Sequence, residues 1–427
     1  MKRFILFSLA LLLLYPAARA EVTIGECVDV AIGNYPAIRK YGLLEAMRDI
    51  ELSDIDKSWF PKLGAYGQLT VQNAVPAFPE IRSDILDKMG REVRGLGKVQ
   101  YKAGIDLSQT IWDGGASSAG RELTRRRQAV EQAQLDVELY QVRQKVENLY
   151  FAVLLTEEQI VQAQVTYGLL CSNRDRLRSM FLNGTAMQSE VDMVEAQALA
   201  VNQSITQARS AARGYRKALE VFTGRNLSDE RFVVPVAAIP ADTEPDRPEL
   251  RLLDRRTELN QADKRRTDVS LMPRFGLFAQ GWYGYPGFDY FQSMMNRDLS
   301  FNLLAGIKVS WNIDSFYTKK NSSRRIAVND ASIAADRETF LFNTRVQTAS
   351  QREAIRGLKE LMADDSRIVE LRANVRKAAE SQLENGVIDV TALLTKISDE
   401  NTARLTARYH EIMLVQEIYK LKYTLDR

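Results

Sequence analysis

Apolar positions along this chain follow two rhythms. Between Val99 and Leu107, the residues Val99, Tyr101, Ala103, Ile105 and Leu107 alternate with Gln100, Lys102, Gly104 and Asp106. Between Phe301 and Trp311, Phe301, Leu303, Ala305, Ile307, Val309 and Trp311 alternate mostly with Asn302, Gly306, Lys308 and Ser310. A period of two with one apolar and one polar face predicts strands. Weaker alternation at Leu63 to Val71 and at Phe275 to Tyr283 supplies a partner for each, giving strand hairpins over 62–111 and 274–313. Each strand is near the roughly 9 to 11 residues that cross a bilayer when tilted.

Elsewhere the rhythm changes to steps of three and four. Val194, Ala198, Val201, Ile205, Ala208, Ala212, Tyr215, Leu219 and Phe222 form a coiled-coil seam whose small residues admit a close partner helix. Upstream, Val130, Ala133, Val137 and Tyr140 make one seam, and Val142, Val146, Leu149 and Val153 begin another on a different face. A helix with two seams can have neighbours on both sides. From Ala116 to Leu182 only Gly120 and Gly168 interrupt helix-compatible residues. At about 1.5 Å per residue such a helix is on the order of 100 Å long. Long helical hairpins are therefore expected over 116–224 and 319–425.

The order hairpin, then long helices, occurs twice. Pro36 and Pro248 lie 212 residues apart, as do Pro61 and Pro273. Trp112-Asp113-Gly114-Gly115 is answered by Trp311-Asn312-Ile313-Asp314, and Asn183-Gly184 by Asn385-Gly386. So long a period marks duplication of a domain-sized unit. Prolines are missing between Pro79 and Pro235 and after Pro286, while Pro235, Pro240, Pro245 and Pro248 crowd one stretch. That stretch reads as the joint between a first repeat, 21–234, and a second, 235–427.

Residues 1–20 read as a secretory signal: Lys2-Arg3, an apolar run from Phe4 to Tyr15, Pro16, then Ala18-Arg19-Ala20. No later stretch offers the roughly 20 apolar residues of a spanning helix. Cys27 and Cys171 are too few for a disulfide scaffold and are expected to be unpaired. The 58 basic and 55 acidic residues are interspersed, which is a solvated surface and not a nucleic-acid footprint. His410 is the only histidine, which excludes histidine-based triads and multi-histidine metal sites. Asp364-Asp365 falls on a polar helical stretch, and Gly114-Gly115 has no Lys-Ser or Lys-Thr partner for a phosphate loop. No catalytic, cofactor or metal residues are expected, and an enzyme is not.

The aromatics point to a membrane. Trp59, Trp112 and Trp311 sit where helix meets strand, and Trp282 lies near the other end of its strand, followed by Tyr283, Tyr285, Phe288, Tyr290 and Phe291. Trp and Tyr gather at both water–lipid interfaces. The segments from Asn73 to Gly97 and from Gly284 to Leu299 are then outward-facing loops. Four strands cannot close a barrel, and an open sheet in lipid leaves unpaired edges. About eight strands fill their own interior, so a dimer offers no passage. A trimer gives a 12-stranded β-barrel with a small pore, continued by the long helices as a tube. The rival reading is a surface-associated coiled-coil structural protein or adhesin, which needs the helices but not the amphipathic strands.

These motifs in this order resemble the TolC-type outer-membrane efflux proteins over essentially the whole mature length. The resemblance rests on Asn34-Tyr35-Pro36 and Arg247-Pro248-Glu249-Leu250 opening each repeat. It rests also on Trp59-Phe60-Pro61-Lys62-Leu63 and Leu271-Met272-Pro273-Arg274-Phe275 leading into strands, and on Trp112-Asp113-Gly114-Gly115. Asn183-Gly184-Thr185 with Ser189-Glu190-Val191-Asp192, and Asn385-Gly386 with Asp389-Val390, look like the family's two helix-hairpin turns. The resemblance implies a homotrimeric duct in the outer membrane of a Gram-negative bacterium, with a large periplasmic part. It implies passive export of cargo delivered by an inner-membrane RND, ABC or MFS pump through a periplasmic adaptor that meets Asn183, Gly184, Asp192, Asn385, Gly386 and Asp389. The family's acidic constriction near the tip is matched here by a mixed set: Arg174, Asp175, Arg176 and Arg178 in one repeat, Lys377 and Glu380 in the other. Asp175, Arg178, Lys377 and Glu380 are the candidates for that ring. Two departures stand out: Trp311-Asn312-Ile313-Asp314-Ser315 lacks the Gly-Gly of the first repeat, and the Gly184 turn reads as longer than the Gly386 turn.

Overall fold

The computed structural model describes residues 21–77, 85, 88, 90 and 95–426; the leader read over residues 1–20 and part of the loop from Asn73 to Gly97 lie outside them. In chain order the elements are β1 (Glu21–Val22), α1 (Ile24–Asn34), a 3-10 turn (Pro36–Arg39), α2 (Lys40–Lys57), β2 (Lys62–Val71) and β3 (Val99–Trp112). Then come α3 (Ala116–Leu182), α4 (Gln188–Thr223), β4 (Arg231–Phe232), α5 (Pro248–Val269), β5 (Arg274–Tyr285) and α6 (Tyr290–Asn296). The chain ends with β6 (Ser300–Ser310), α7 (Ser315–Glu384) and α8 (Val390–Leu425). The duplication is plain in the helix lengths: α3 and α4 have 67 and 36 residues, α7 and α8 have 70 and 36.

The compact units cut across the repeats. One holds the described residues up to Tyr41, Ala133–Leu252 and those from Ala335 onward; the other holds Gly42–Gln132 and Leu253–Ala334. Each therefore draws on both halves of the chain.

In the first unit most seam positions read from the sequence are buried or half-buried, with Tyr215 exposed. Val142, Val146, Tyr150, Phe151 and Val153 of α3 pack with Leu219 of α4, Ala31 of α1 and Ile412 of α8. Ala133, Val137 and Tyr140 are buried as well, so α3 is covered on more than one face here. The parallel pair β1–β4 is tied to this core by Tyr150. Its hydroxyl accepts from Val233 N–H at 3.2 Å and lies 2.7 Å from the Val22 carbonyl and 2.8 Å from the Val233 carbonyl. A tyrosine at zero exposure needs such partners. Burial pushes the Cys27 thiol up to about 11, which leaves it protonated and inert. Cys27 and Cys171 are both free thiols.

The motif Arg247-Pro248-Glu249 has a structural use. The Arg247 guanidinium lies over the rings of Phe340, Tyr423 and Tyr140 at 5.1, 5.2 and 5.7 Å and is held by Glu249. Tyr140 and Tyr423 stack at 4.5 Å. Arginine suits this place because its planar head both stacks and donates.

In the second unit β2, β3, β5 and β6 form one antiparallel sheet in that order. The two hairpins are joined through β3–β5, from Tyr101 opposite Tyr285 to Trp112 opposite Phe275, with a bulge at the helix-proximal end. Polar ties link the helices that continue the strands: Arg121 of α3 to Asp56 of α2 at 2.7 Å, Arg126 of α3 to Glu258 of α5 at 2.6 Å, and Asn260 of α5 to Asp330 of α7 at 2.6 Å.

The Trp112-Asp113-Gly114-Gly115 motif turns strand into helix. Asp113 accepts from the N–H groups of Gly115 and Ser117 at 2.8 and 2.6 Å, capping α3, while Gly114 and Gly115 take φ values of +70° and +92°. A Cβ on Gly114 would stand 2.6 Å from Met272 Cβ and 3.0 Å from the Pro273 carbonyl, the motif that leads into β5. The two sequence motifs are thus one contact. Gly114→Ala is expected to lower the thermal stability of the purified protein by more than Gly184→Ala. Both pay the left-handed backbone cost of about 1–3 kcal/mol, but a Cβ at Gly184 meets nothing within 4 Å. Equal melting shifts in a scanning unfolding experiment would refute the contact argument.

Candidate functional site

Two places group exposed side chains: the turns that end the long helices, and the two faces of the sheet. The turns come first. Residues 183–187 join α3 to α4, and residues 385–389 join α7 to α8, so each turn has five residues. The apparent difference in turn length is therefore corrected: Asp389 caps α8 at the position where Met187 precedes α4, and Asp192 lies inside α4. Both turns close the same way. Thr185 N–H reaches the Met180 carbonyl at 2.9 Å and Val387 N–H the Gln382 carbonyl at 2.8 Å, with Gly184 and Gly386 at φ +74° and +68°. That is a left-handed helix stop, where glycine is free of Cβ strain.

Asn183, Gly184, Asn385, Gly386 and Asp389 are exposed; Asn385 Nδ2 donates to Ser381 O at 2.8 Å, and Asp389 accepts from Ala392 N–H at 2.8 Å. Asp192 is exposed and accepts from Gln188 at 2.7 Å. Beneath the turns, Leu170, Leu177, Val194, Ala379, Leu383 and Leu393 pack helices of both repeats together. Sequence reasoning passed over three apolar neighbours left outside this core: Leu182, Met187 and Val387, at 77%, 66% and 68% exposure. Their signal is that the apolar residues flanking each Asn-Gly fall off the helical seam.

The four residues proposed for a constriction are not joined to one another by ion pair or hydrogen bond among the described residues. Asp175 pairs with Arg174 at 2.7 Å on an exposed face, and Arg178 and Lys377 are exposed. Glu380 is drawn into a network that the sequence did not disclose. Arg376 donates to Glu380 at 2.6 Å and to Glu400 at 2.5 Å, and Arg404 donates to Glu400 at 2.7 Å. The Glu400 side chain is 7% exposed. Burial works to raise its carboxyl, yet the hydrogen bonds from Arg376 and Arg404 outweigh it, and its pKa is lowered. This network ties α7 to α8 just behind the Gly386 turn, as Arg176 with Glu384 ties α3 to α7.

Register divides the side chains of the sheet between two faces. Register places Leu63, Leu69, Val71, Tyr101, Ile105, Leu107, Leu277, Tyr283, Phe301, Leu303, Ile307 and Val309 on one face across all four strands. Among the described residues nothing covers that face: Leu63, Phe301 and Ile307 each stay more than 70% exposed. Trp112 packs on Phe275 at 5.5 Å, Trp311 donates to the Leu271 carbonyl at 2.9 Å, and the Trp59 carbonyl accepts from Gln109. These three stand at the helix-proximal end. Trp282 differs from the expectation: it lies between Gly104 and Asn302 on the polar face, beside Phe288, with Lys102 5.5 Å from its ring. Parity explains the reversal, since Tyr283 takes the apolar side.

The segment read as an open loop from Gly284 to Leu299 contains α6, capped by Asp289, whose side chain accepts from Gln292 N–H. Asn302 accepts from Phe288 N–H at 2.7 Å, and the Tyr285 hydroxyl accepts from Gly97 N–H at 2.6 Å, so the ends of both hairpins are braced. No group of histidine, cysteine or acidic side chains among the described residues could hold a metal, and no described helix is long and apolar enough to cross a membrane.

No family model matches the chain, and no curated protein matches it by sequence. Solved structures do match. The outer-membrane protein VceC of Vibrio cholerae is 11% identical, over 94% of this chain and 95% of that one, at a TM-score of 0.69. The CmeC outer-membrane channel of Campylobacter jejuni is 13% identical, over 94% and 85%, at 0.66. The open state of the MtrE outer-membrane channel of Neisseria gonorrhoeae is 14% identical, over 94% and 88%, at 0.65. At such identities what is shared is the fold: the chain has the architecture of the TolC-type outer-membrane channels.

Proposed function

We propose that three copies of this chain form an outer-membrane duct through which cargo passes passively, delivered by an inner-membrane RND, ABC or MFS pump through a periplasmic adaptor. The observation that carries the reading is the sheet: one face apolar and uncovered, and β2 and β6 each paired on one side only. Unpaired backbone groups in lipid cost several kcal/mol each, so the edges must meet other copies. Twelve strands close with the apolar face toward lipid and the polar face around water. The long helices then stand in the periplasm, and the duct needs no enzymatic group. The solved channels of the same fold support this placement in the outer membrane of a Gram-negative bacterium.

The Gly184 and Gly386 turns, with Leu182, Met187 and Val387 beside them, form the adaptor contact in this reading. Apolar side chains at both turns of one tip are what a partner helix hairpin would cover. Leu182→Glu with Val387→Glu is expected to leave trimers intact and to weaken adaptor capture by the purified trimer roughly tenfold or more, since two apolar anchors become charged. Undiminished adaptor binding would remove the tips from the interface.

The Arg376–Glu400–Arg404 network ties α7 to α8 in the second-repeat hairpin. A carboxyl whose folded pKa is lowered contributes stability that is complete above its unfolded value and is lost as pH falls through the folded value. Hydrogen exchange of α7 and α8 behind the Gly386 turn is therefore expected to quicken only below the ordinary glutamate range. Arg376→Met, which leaves Glu400 with one partner fewer, should quicken it already at neutral pH, by an opening free energy about 1–3 kcal/mol smaller. Unchanged exchange in that variant would show that the network does not hold the hairpin.

A further inference from the structure

We infer that the passage through the sheet is anion-selective and that the cargo class it favours is organic anions. This rests on the duct reading above, which makes the polar face the wall of the pore. Side chains on that face follow from register: Lys62, Tyr66, Gln68 and Thr70 on β2; Gln100, Lys102, Asp106, Ser108 and Thr110 on β3; Arg274, Phe278, Gln280 and Trp282 on β5; Asn302, Leu304 and Lys308 on β6. The charged members are Lys62, Lys102, Arg274 and Lys308 against Asp106 alone, three net positive charges per chain on a wall only four strands wide.

The chain does not cancel them. Its surface is otherwise laced with ion pairs, yet among the described residues none of these four cations is within salt-bridge distance of a carboxylate. The one acid of the face, Asp106, is half-buried and lines the same helix-proximal concavity as three of the cations, with its Oδ1 buried and without a hydrogen-bond partner, and it is outnumbered four to one. The cations stand at both ends of the wall. Lys62, Arg274 and Lys308 surround Phe278 in a concavity of about 910 Å³ at the helix-proximal end. Lys102 stands near the outer end, 5.7 Å from the Tyr66 ring centre and 5.5 Å from that of Trp282, in a recess of about 230 Å³ that Gln68, Thr70 and Gln100 also line.

A ring of fixed cations in a narrow, low-dielectric passage concentrates counter-ions and repels co-ions. Three chains place nine uncompensated positive charges around the pore, from the three per chain already counted. Aromatic rings beside Lys102 and Phe278 beside the inner cluster give apolar support to the body of an amphiphilic anion while the cations meet its carboxylate, sulfonate or phosphate.

The test is the reversal potential of purified full-length trimers in planar lipid bilayers under a KCl gradient. Expected is a chloride-to-potassium permeability ratio roughly threefold or more above unity, which Lys102→Glu with Lys308→Glu drives below unity. Lys102→Gln with Lys308→Gln should fall between, and is read in its place if the reversed pair does not assemble. A wild type that favours potassium, or a ratio indifferent to both pairs of substitutions, overturns the inference and leaves the duct intact. Stable trimers that conduct no ions overturn the duct reading itself, and the inference with it.

Discussion

The rest of this structure hangs on the hydrogen-bonding demand of the backbone at the edges of a small sheet. A four-stranded antiparallel sheet with an apolar outer face is stable neither in water, where that face is bare, nor alone in lipid, where two rows of N–H and C=O groups lack partners. Inside the chain the demand is met once, where β3 of the first repeat pairs with β5 of the second along their whole length. Gly114 lets the first hairpin's exit lie against Met272-Pro273, the second hairpin's entry, with no room for a Cβ.

The same view explains where the two repeats differ. The junction between hairpins inside the chain has Gly114-Gly115, two left-handed residues under a crowded contact. At the free edge of the sheet, after β6, Asn312-Ile313-Asp314 takes this place, and Trp311 reaches back to the Leu271 carbonyl of its own hairpin. Glycine is needed where two backbones touch within the chain; at the free edge no such contact exists in the chain to demand it. The departure from strict repetition marks an edge rather than a weakened motif.

How much of this was legible in the sequence depends on how local the signal was. Strand faces were legible, because parity is a local property: Val99 to Leu107 and Phe301 to Val309 read out their faces without any partner. The α3 and α4 seams were legible for the same reason. Trp282 lies near the far end of β5 as the spacing indicates, and parity, counted onward from Leu277 and Ala279, puts it on the polar side. Helix α6 was missed because its aromatic residues read as an interfacial belt, although Asp289 stands where a cap for Gln292 N–H is needed. The Arg376–Glu400–Arg404 network was not legible at all. Arg376 and Arg404 come from different helices on either side of a turn, and only the packing of Ala379, Leu383 and Leu393 brings them to one carboxylate.

The charge of the polar face shows why composition is a poor guide to such a wall. Over the whole chain, basic and acidic residues nearly balance, at 58 and 55. Many of these charges sit in ion pairs along and between helices, such as Arg121 with Asp56 and Arg265 with Glu122, where they stabilise little and select nothing. In the proposed duct, the residual charge that an ion would feel is the part left unpaired on one face of four strands. It is small in number, but among the described residues none of the four cations is within salt-bridge distance of a carboxylate. A field made by a few uncompensated groups on a concave wall outweighs a larger number of paired charges on open surface. Selectivity in a duct of this kind is therefore decided by parity and register in the strands, not by the net charge of the chain.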